Sequence, residues 1–170
     1  MKRYYFPRQC WSLSGVLVVM VLLFAIPASA QAPSIEGTYT FISRKLPDGT
    51  MLSPPDLMGL LTYTKSHINA NLVRKDATGK FFSISYVSTY KLTATEYSET
   101  LLFSIQNDQI GGKDIVYDLS GKTQSAPVTV EGGRIQFKRP FGGRSLVFEG
   151  NKVTATAENN ANVDVWEKVQ

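Results

Sequence analysis

The sequence predicts an all-β domain, an antiparallel up-and-down barrel of about 8–10 strands, set behind an N-terminal signal peptide. Three observations predict it. From Ile35 onward apolar residues recur at every second position, the period of a strand with one buried face. Turn pairs such as Asp48-Gly49, Gly111-Gly112, Gly132-Gly133 and Gly150-Asn151 break these runs at short intervals. Ahead of them, a basic start leads into an apolar run that ends in small residues.

Lys2, Arg3 and Arg8 precede the run Gly15–Ile26, which Pro27-Ala28-Ser29-Ala30 closes with alanines where a signal peptidase reads them. The run is 12 residues long, short of the ~20 that a membrane-spanning helix needs. The single cysteine, Cys10, precedes the run, whereas a lipoprotein carries one directly after it. Residues 1–30 are therefore expected to be cleaved, with no membrane anchor left behind. Residues 31–34 form a short lead-in, and residues 35–170 form the barrel domain.

Cleavage changes the electrostatics. The chain has 18 basic and 14 acidic residues; three basic ones lie in the leader, so the mature part holds 15 against 14, a net charge of +1. The pI of 9.2 is largely a property of the leader, so a nucleic acid partner is not expected. The mature part has no cysteine and no Asn-x-Ser/Thr acceptor, which points to a bacterial periplasmic or secreted protein. Its 140 residues make one domain, burying roughly 68% of the surface its unfolded chain exposes without any staple. No metal and no other cofactor is expected.

Strands are expected near 37–46, 58–64, 67–74, 81–92, 97–106, 114–119, 126–131, 134–139, 145–149, 152–157 and 162–169. In the long one, Phe82, Ile84, Tyr86, Ser88 and Tyr90 share a face; in the next, Tyr97, Leu101, Phe103 and Ile105 do. Near the end, Val163, Val165 and Val169 alternate with Asp164, Trp166 and Lys168. Only Ser53–Leu57 suits a short helical turn. Tight turns and the lack of a long crossover favour an up-and-down ring, whose closure removes exposed edges.

Several stretches resemble the lipocalin-like domain family of bacteria. They are Gly37-Thr38-Tyr39, the strand Met58-Gly59-Leu60-Leu61-Thr62-Tyr63-Thr64, the strand His67-Ile68-Asn69-Ala70-Asn71-Leu72, and the closing Val165-Trp166-Glu167-Lys168-Val169. Tyr39 stands where that family usually has Trp, and Lys168 where Arg is common. The resemblance implies a calycin-type barrel and small-molecule binding. It also implies structural roles for Gly37, Tyr39, Trp166 and Lys168, with the terminal cation closing the barrel floor over the aromatic ring of the first strand.

Phe82, Tyr86, Ser88, Tyr90, Tyr97 and Phe103 are the candidate pocket residues. Apolar walls with a few inward hydroxyls are what a ligand pocket needs, although the same side chains also fit a filled barrel core. No catalytic set is read. His67, the only histidine, falls out of phase with Ile68, Ala70 and Leu72 and is expected at the surface. Glu96 and Glu99 are expected to be solvated. The basic stretch Lys138-Arg139-Pro140-Phe141-Gly142-Gly143-Arg144 is expected to be a solvated hairpin.

The leading functional reading is an exported lipocalin-like protein that binds a small apolar or amphipathic molecule. Two alternatives stand beside it. One is a calycin-type isomerase or cyclase using tyrosines and an arginine such as Arg74. The other is a periplasmic barrel acting on another protein through its rim, as an inhibitor does. The processing signal yields a direct expectation: intact-mass measurement of the exported protein should find Gln31 as its first residue, and a full-length membrane-retained species would refute the leader.

Overall fold

The computed structural model describes residues 1–2 and 32–169. The leader assigned to residues 1–30 lies, apart from Met1 and Lys2, outside the described residues. From Ala32 onward the chain is one compact unit. It forms twelve strands: β1 (Gly37–Lys45), β2 (Met51–Leu52), β3 (Leu57–Tyr63), β4 (His67–Lys75), β5 (Phe81–Leu92), β6 (Glu96–Asp108), β7 (Lys113–Asp118), β8 (Thr123–Glu131), β9 (Arg134–Lys138), β10 (Ser145–Glu149), β11 (Lys152–Thr156) and β12 (Val163–Lys168). Ten of them close a ring in the order β1, β3, β4, β5, β6, β8, β9, β10, β11, β12 and back to β1. Every pairing is antiparallel, so the chain rises and falls around the barrel as its turn spacing predicts. The strand β2 pairs only with β1, and β7 only with the far half of β6, both outside the ring.

The turns show why the glycines stand where they do. Gly132 and Gly133 both have positive φ between the paired Glu131 and Arg134, as a two-residue hairpin turn with right-handed twist requires. Ser53–Leu57 forms a hydrogen-bonded turn, Leu57 N–H donating to the Ser53 carbonyl, not a helix. Among the described residues the one helical segment is a single 3-10 turn at Glu158–Asn160.

Two bulges set the inner face. Along β1, Phe41 pairs with Trp166 and Ser43 with Val165, so Ile42 is the extra residue. Tyr39 and Phe41 point inward before the bulge, and Arg44 points inward after it, opposite Asp164. Along β6, Val87 pairs with Phe103 and Ser88 with Leu101, so Leu102 is extra. The extra residue reverses the alternation. Tyr97, Glu99 and Leu101 face the core, whereas Phe103 joins Val87 on the outer face. The expected shared face of Tyr97, Leu101, Phe103 and Ile105 is thus split by a bulge.

One end of the barrel is filled. Tyr39, Tyr63, Tyr90, Tyr97, Phe137 and Phe148 form a continuous ring cluster, with centroid separations from 4.1 Å for the stacked Tyr97–Phe137 pair to 5.9 Å. Such pairs contribute about 0.5–1.5 kcal/mol each beyond the area they bury. The Tyr39 hydroxyl donates to the Ile35 carbonyl at 3.1 Å and the Tyr90 hydroxyl to the Thr64 carbonyl at 2.6 Å, so both polar tips are satisfied. Ile35, just ahead of β1, is itself buried against this end.

The terminal cation works differently from the expected ring contact. Lys168 lays its stem over Gly37 and donates from Nζ to the Glu36 carbonyl at 2.7 Å, while the Tyr39 ring meets Phe148 edge-on. A side chain at position 37 would collide with that stem. On β12 the buried face carries Asp164 and Trp166, and the valines point outward. Trp166 packs edge-on to Phe41 and lies against the Cα of Gly59.

That last contact yields a prediction. A Cβ on Gly59 would sit 2.7 Å from the Trp166 ring and 2.8 Å from the Asn71 carbonyl oxygen, which is backbone and cannot step aside. Replacing a strand glycine by alanine usually gains about 0.5–1 kcal/mol. Here Gly59→Ala should instead cost about 1–3 kcal/mol, as overpacking does. Denaturant unfolding measures the sign, and a stabilised variant would show that the two strands approach less closely.

Candidate functional site

The other end of the barrel is not filled. A cavity of about 350 Å³ opens there, lined by Leu61, Ala70, Leu72, Phe82, Tyr86, Phe141, Leu146, Ala155 and Trp166 on its apolar walls, with Tyr63 among the remaining lining residues. Arg44, Arg139, Arg144 and Asp164 line it as well. Arg44 is turned inward by the Ile42 bulge, whereas Asp164, Arg139 and Arg144 continue the inward phase of their strands. On β9, Ile135 and Phe137 point inward and Arg139 follows two residues on; on β10, Leu146 and Phe148 point inward and Arg144 precedes them. The hairpin expected to be solvated therefore sends both arginines into the barrel.

The charges form two groups. In the first, Asp164 is almost wholly buried and accepts from Arg44 Nε at 2.6 Å, Arg44 Nη2 at 2.7 Å and Arg144 Nη1 at 3.0 Å. In the second, Glu99 is completely buried and accepts from Arg139 Nε at 3.1 Å, Arg139 Nη2 at 2.7 Å and the Tyr97 hydroxyl at 2.9 Å. Glu99 was expected in solvent; its place in phase with Tyr97 and Leu101 turns it inward. The Arg139 guanidinium also lies 3.9 Å from the centre of the Tyr86 ring. A cation over a desolvated ring contributes about 2 kcal/mol.

The hydroxyls remain protonated at neutral pH. Burial pushes Tyr86 up to about 12, against the pull of Arg139, and pushes Tyr90 up to about 12. Burial moves Tyr63 well above the usual range, with Tyr86 adding to the rise and Arg139 opposing it. Arg144 moves the other way: burial lowers its pKa, and Asp164 opposes the change. The Tyr63 hydroxyl and the Ser88 hydroxyl are buried without a protein partner.

The six pocket candidates separate by position. Phe82 and Tyr86 line the cavity. Tyr90 and Tyr97 belong to the packed aromatic end, and Tyr97 reaches the site only through its bond to Glu99. Ser88 is fully buried outside the lining, and Phe103 faces outward beyond the Leu102 bulge. Arg74 is not among the lining residues. His67 is exposed, with Nδ1 at 2.8 Å from Ser66 Oγ. Among the described residues, no group of three or more His, Cys, Asp or Glu is arranged to hold a metal ion. The charged lining that the pocket candidates lacked was visible as period two: Arg139, Arg144 and Asp164, and Glu99 behind Arg139, all stand in phase with buried apolar neighbours.

Comparison with known proteins found no matching family model, no matching curated protein and no matching solved structure.

The buried ion pairs make a stability prediction. Taking one partner from a buried pair leaves an uncompensated charge and costs about 3–5 kcal/mol. Glu99→Gln keeps an acceptor for Tyr97 but strands the Arg139 charge, so it should fall in that range. Adding Arg139→Met should recover part of the loss. Unfolding of both variants tests this; additive losses would mean that Arg139 finds water when Glu99 is neutral.

Proposed function

We propose that this chain is an exported, lipocalin-like binding protein that holds a small apolar or amphipathic molecule in the open half of its barrel. The uneven filling of the barrel carries this reading. Six aromatic rings pack one end, while the other leaves about 350 Å³ among apolar walls and a few polar groups. Small-molecule pockets run from ~300 to ~1,000 Å³ and have this makeup. A barrel built for stability alone would fill both ends, because voids lose packing contacts. The ring of antiparallel strands supports the calycin-type placement. The family likeness of Gly37-Thr38-Tyr39 and of the closing Trp166-Glu167-Lys168 points the same way, and the leader at residues 1–30 supports export to a periplasmic or extracellular location.

Ala70 and Ala155 line the cavity from opposite walls, one on β4 and the other on β11. Ala70→Leu and Ala155→Leu should each fill part of the space. Titration with an environment-sensitive apolar dye should then show several-fold weaker binding, with the far-ultraviolet circular dichroism unchanged. Unaltered dye affinity in both folded variants would place binding elsewhere and overturn the reading.

A further inference from the structure

We propose that the molecule held in the barrel is an organic monoanion, a carboxylate in the simplest case, whose charged end is received by Arg144 and the Tyr86 hydroxyl. This inference rests on the binding reading above and adds the charge of the ligand. Three arginines and two carboxylates meet in and behind the cavity, so the interior carries one surplus positive charge. Leaving such a charge without a counter-ion in low dielectric is expensive.

The hydrogen-bond account localises the surplus. All four oxygens of Asp164 and Glu99 already accept from protein donors. Arg44 and Arg139 each spend two nitrogens on their carboxylates in a fork. Arg144 spends only Nη1, on Asp164 and on the Ala155 carbonyl at 3.5 Å, which leaves Nε and Nη2 without a protein acceptor. Its side chain keeps 27% of its exposure, more than either of the other two arginines.

A second observation points into the same space. Tyr63 lines the cavity and is only 2% exposed, and its buried hydroxyl has no partner. The Tyr86 hydroxyl makes no hydrogen bond to protein either, and Arg139, Glu99 and Arg144 all act on it electrostatically. The chemistry left facing the cavity is therefore rich in donors, and its acidic oxygens are committed. A carboxylate supplies the missing acceptors, one negative charge, and a planar pair of oxygens that a guanidinium edge grips bidentately. Its apolar body would lie against Leu61, Leu72 and Trp166. The surplus is a single charge, so a monoanion is matched better than a dianion such as a phosphate monoester.

The test is competition for the dye by octanoate, octanol and octylammonium on the purified protein. Octanoate should displace the dye at least about tenfold more tightly than octanol, a difference of about 1.4 kcal/mol, and octylammonium should be weakest. Arg144→Gln should erase the preference of octanoate over octanol, read as the ratio of their displacement constants. Asp164 keeps its fork from Arg44 in that variant, so folding is not at stake. Arg144→Lys, which restores charge without the fork, should recover part of the preference. A dye displaced no better by octanoate than by octanol overturns the charge assignment and leaves the binding reading intact. Failure of the dye and of all three ligands to bind overturns the binding reading itself.

Discussion

Removing a carboxylate and a guanidinium from water costs several kcal/mol per ion, and their attraction repays this only in good geometry with the remaining polar atoms satisfied. Arg44 and Asp164 meet that condition across the β1–β12 seam, the pairing that closes the ring. The Ile42 bulge turns Arg44 inward opposite Asp164, and Arg144 reaches the same carboxylate from β10. One buried carboxylate thus ties together the first strand, the last strand and the wall of the cavity. Moving β1 by one residue against β12 would point Arg44 at solvent and leave Asp164 with Arg144 alone. The pair fixes strand register and site geometry by the same two bonds.

The division of the barrel into a packed and an open half follows from which side chains the inward phase delivers at each level. At the packed end, β1, β3, β5, β6, β9 and β10 deliver Tyr39, Tyr63, Tyr90, Tyr97, Phe137 and Phe148. Flat rings stack and meet edge-on there, and Ile35, just ahead of β1, packs in the same buried cluster. Further along the same strands, the phase delivers Leu61, Arg44, Tyr86, Arg139 and Arg144. Arginines span a cross-section poorly here: Arg44 and Arg139 are each forked onto a carboxylate, and Arg144 is tied to Asp164 through Nη1. The same ion pairs that fasten the strands therefore hold side chains away from the middle, and the cavity is their consequence.

Much of the fold was legible in the residues. The alternation of β5, the turn glycines and the lack of a crossover led to an antiparallel ring, and eleven of the strands lie close to where period two places them. The site was less legible, for two different reasons. Glu99, Arg139 and Arg144 are charged, and charge at a strand end or in a Gly-rich hairpin ordinarily means solvent. Their phase carried the contrary signal. Ile135, Phe137 and Arg139 form one unbroken inward series, as do Arg144, Leu146 and Phe148. The second reason left no mark in composition. Ile42 and Leu102 are ordinary strand residues, and nothing in their type announces a bulge. Yet Leu102 alone decides that Phe103 faces outward, and Ile42 alone decides that Arg44 faces inward.

The polar groups that face the open half are mostly hydrogen-bond donors, the chemistry that the proposed binding role needs. Proton transfer at neutral pH calls for a group whose pKa lies near the working pH and whose lone pair faces the substrate. Asp164 and Glu99 face the arginines, and every one of their oxygens already accepts a protein hydrogen bond. Burial pushes the Tyr86 hydroxyl up to about 12 and Tyr63 higher than its usual range, so both serve as donors. Arg74, which an isomerase or cyclase would have drawn upon, stands outside the lining. In the proposed role these donors would grip an anionic oxygen, while the apolar wall from Leu61 to Trp166 would take the rest of the molecule out of water. Under the proposed reading such a site would discriminate by charge first and by shape second, because a partly buried guanidinium edge left without an acceptor is costlier than an imperfectly filled apolar void.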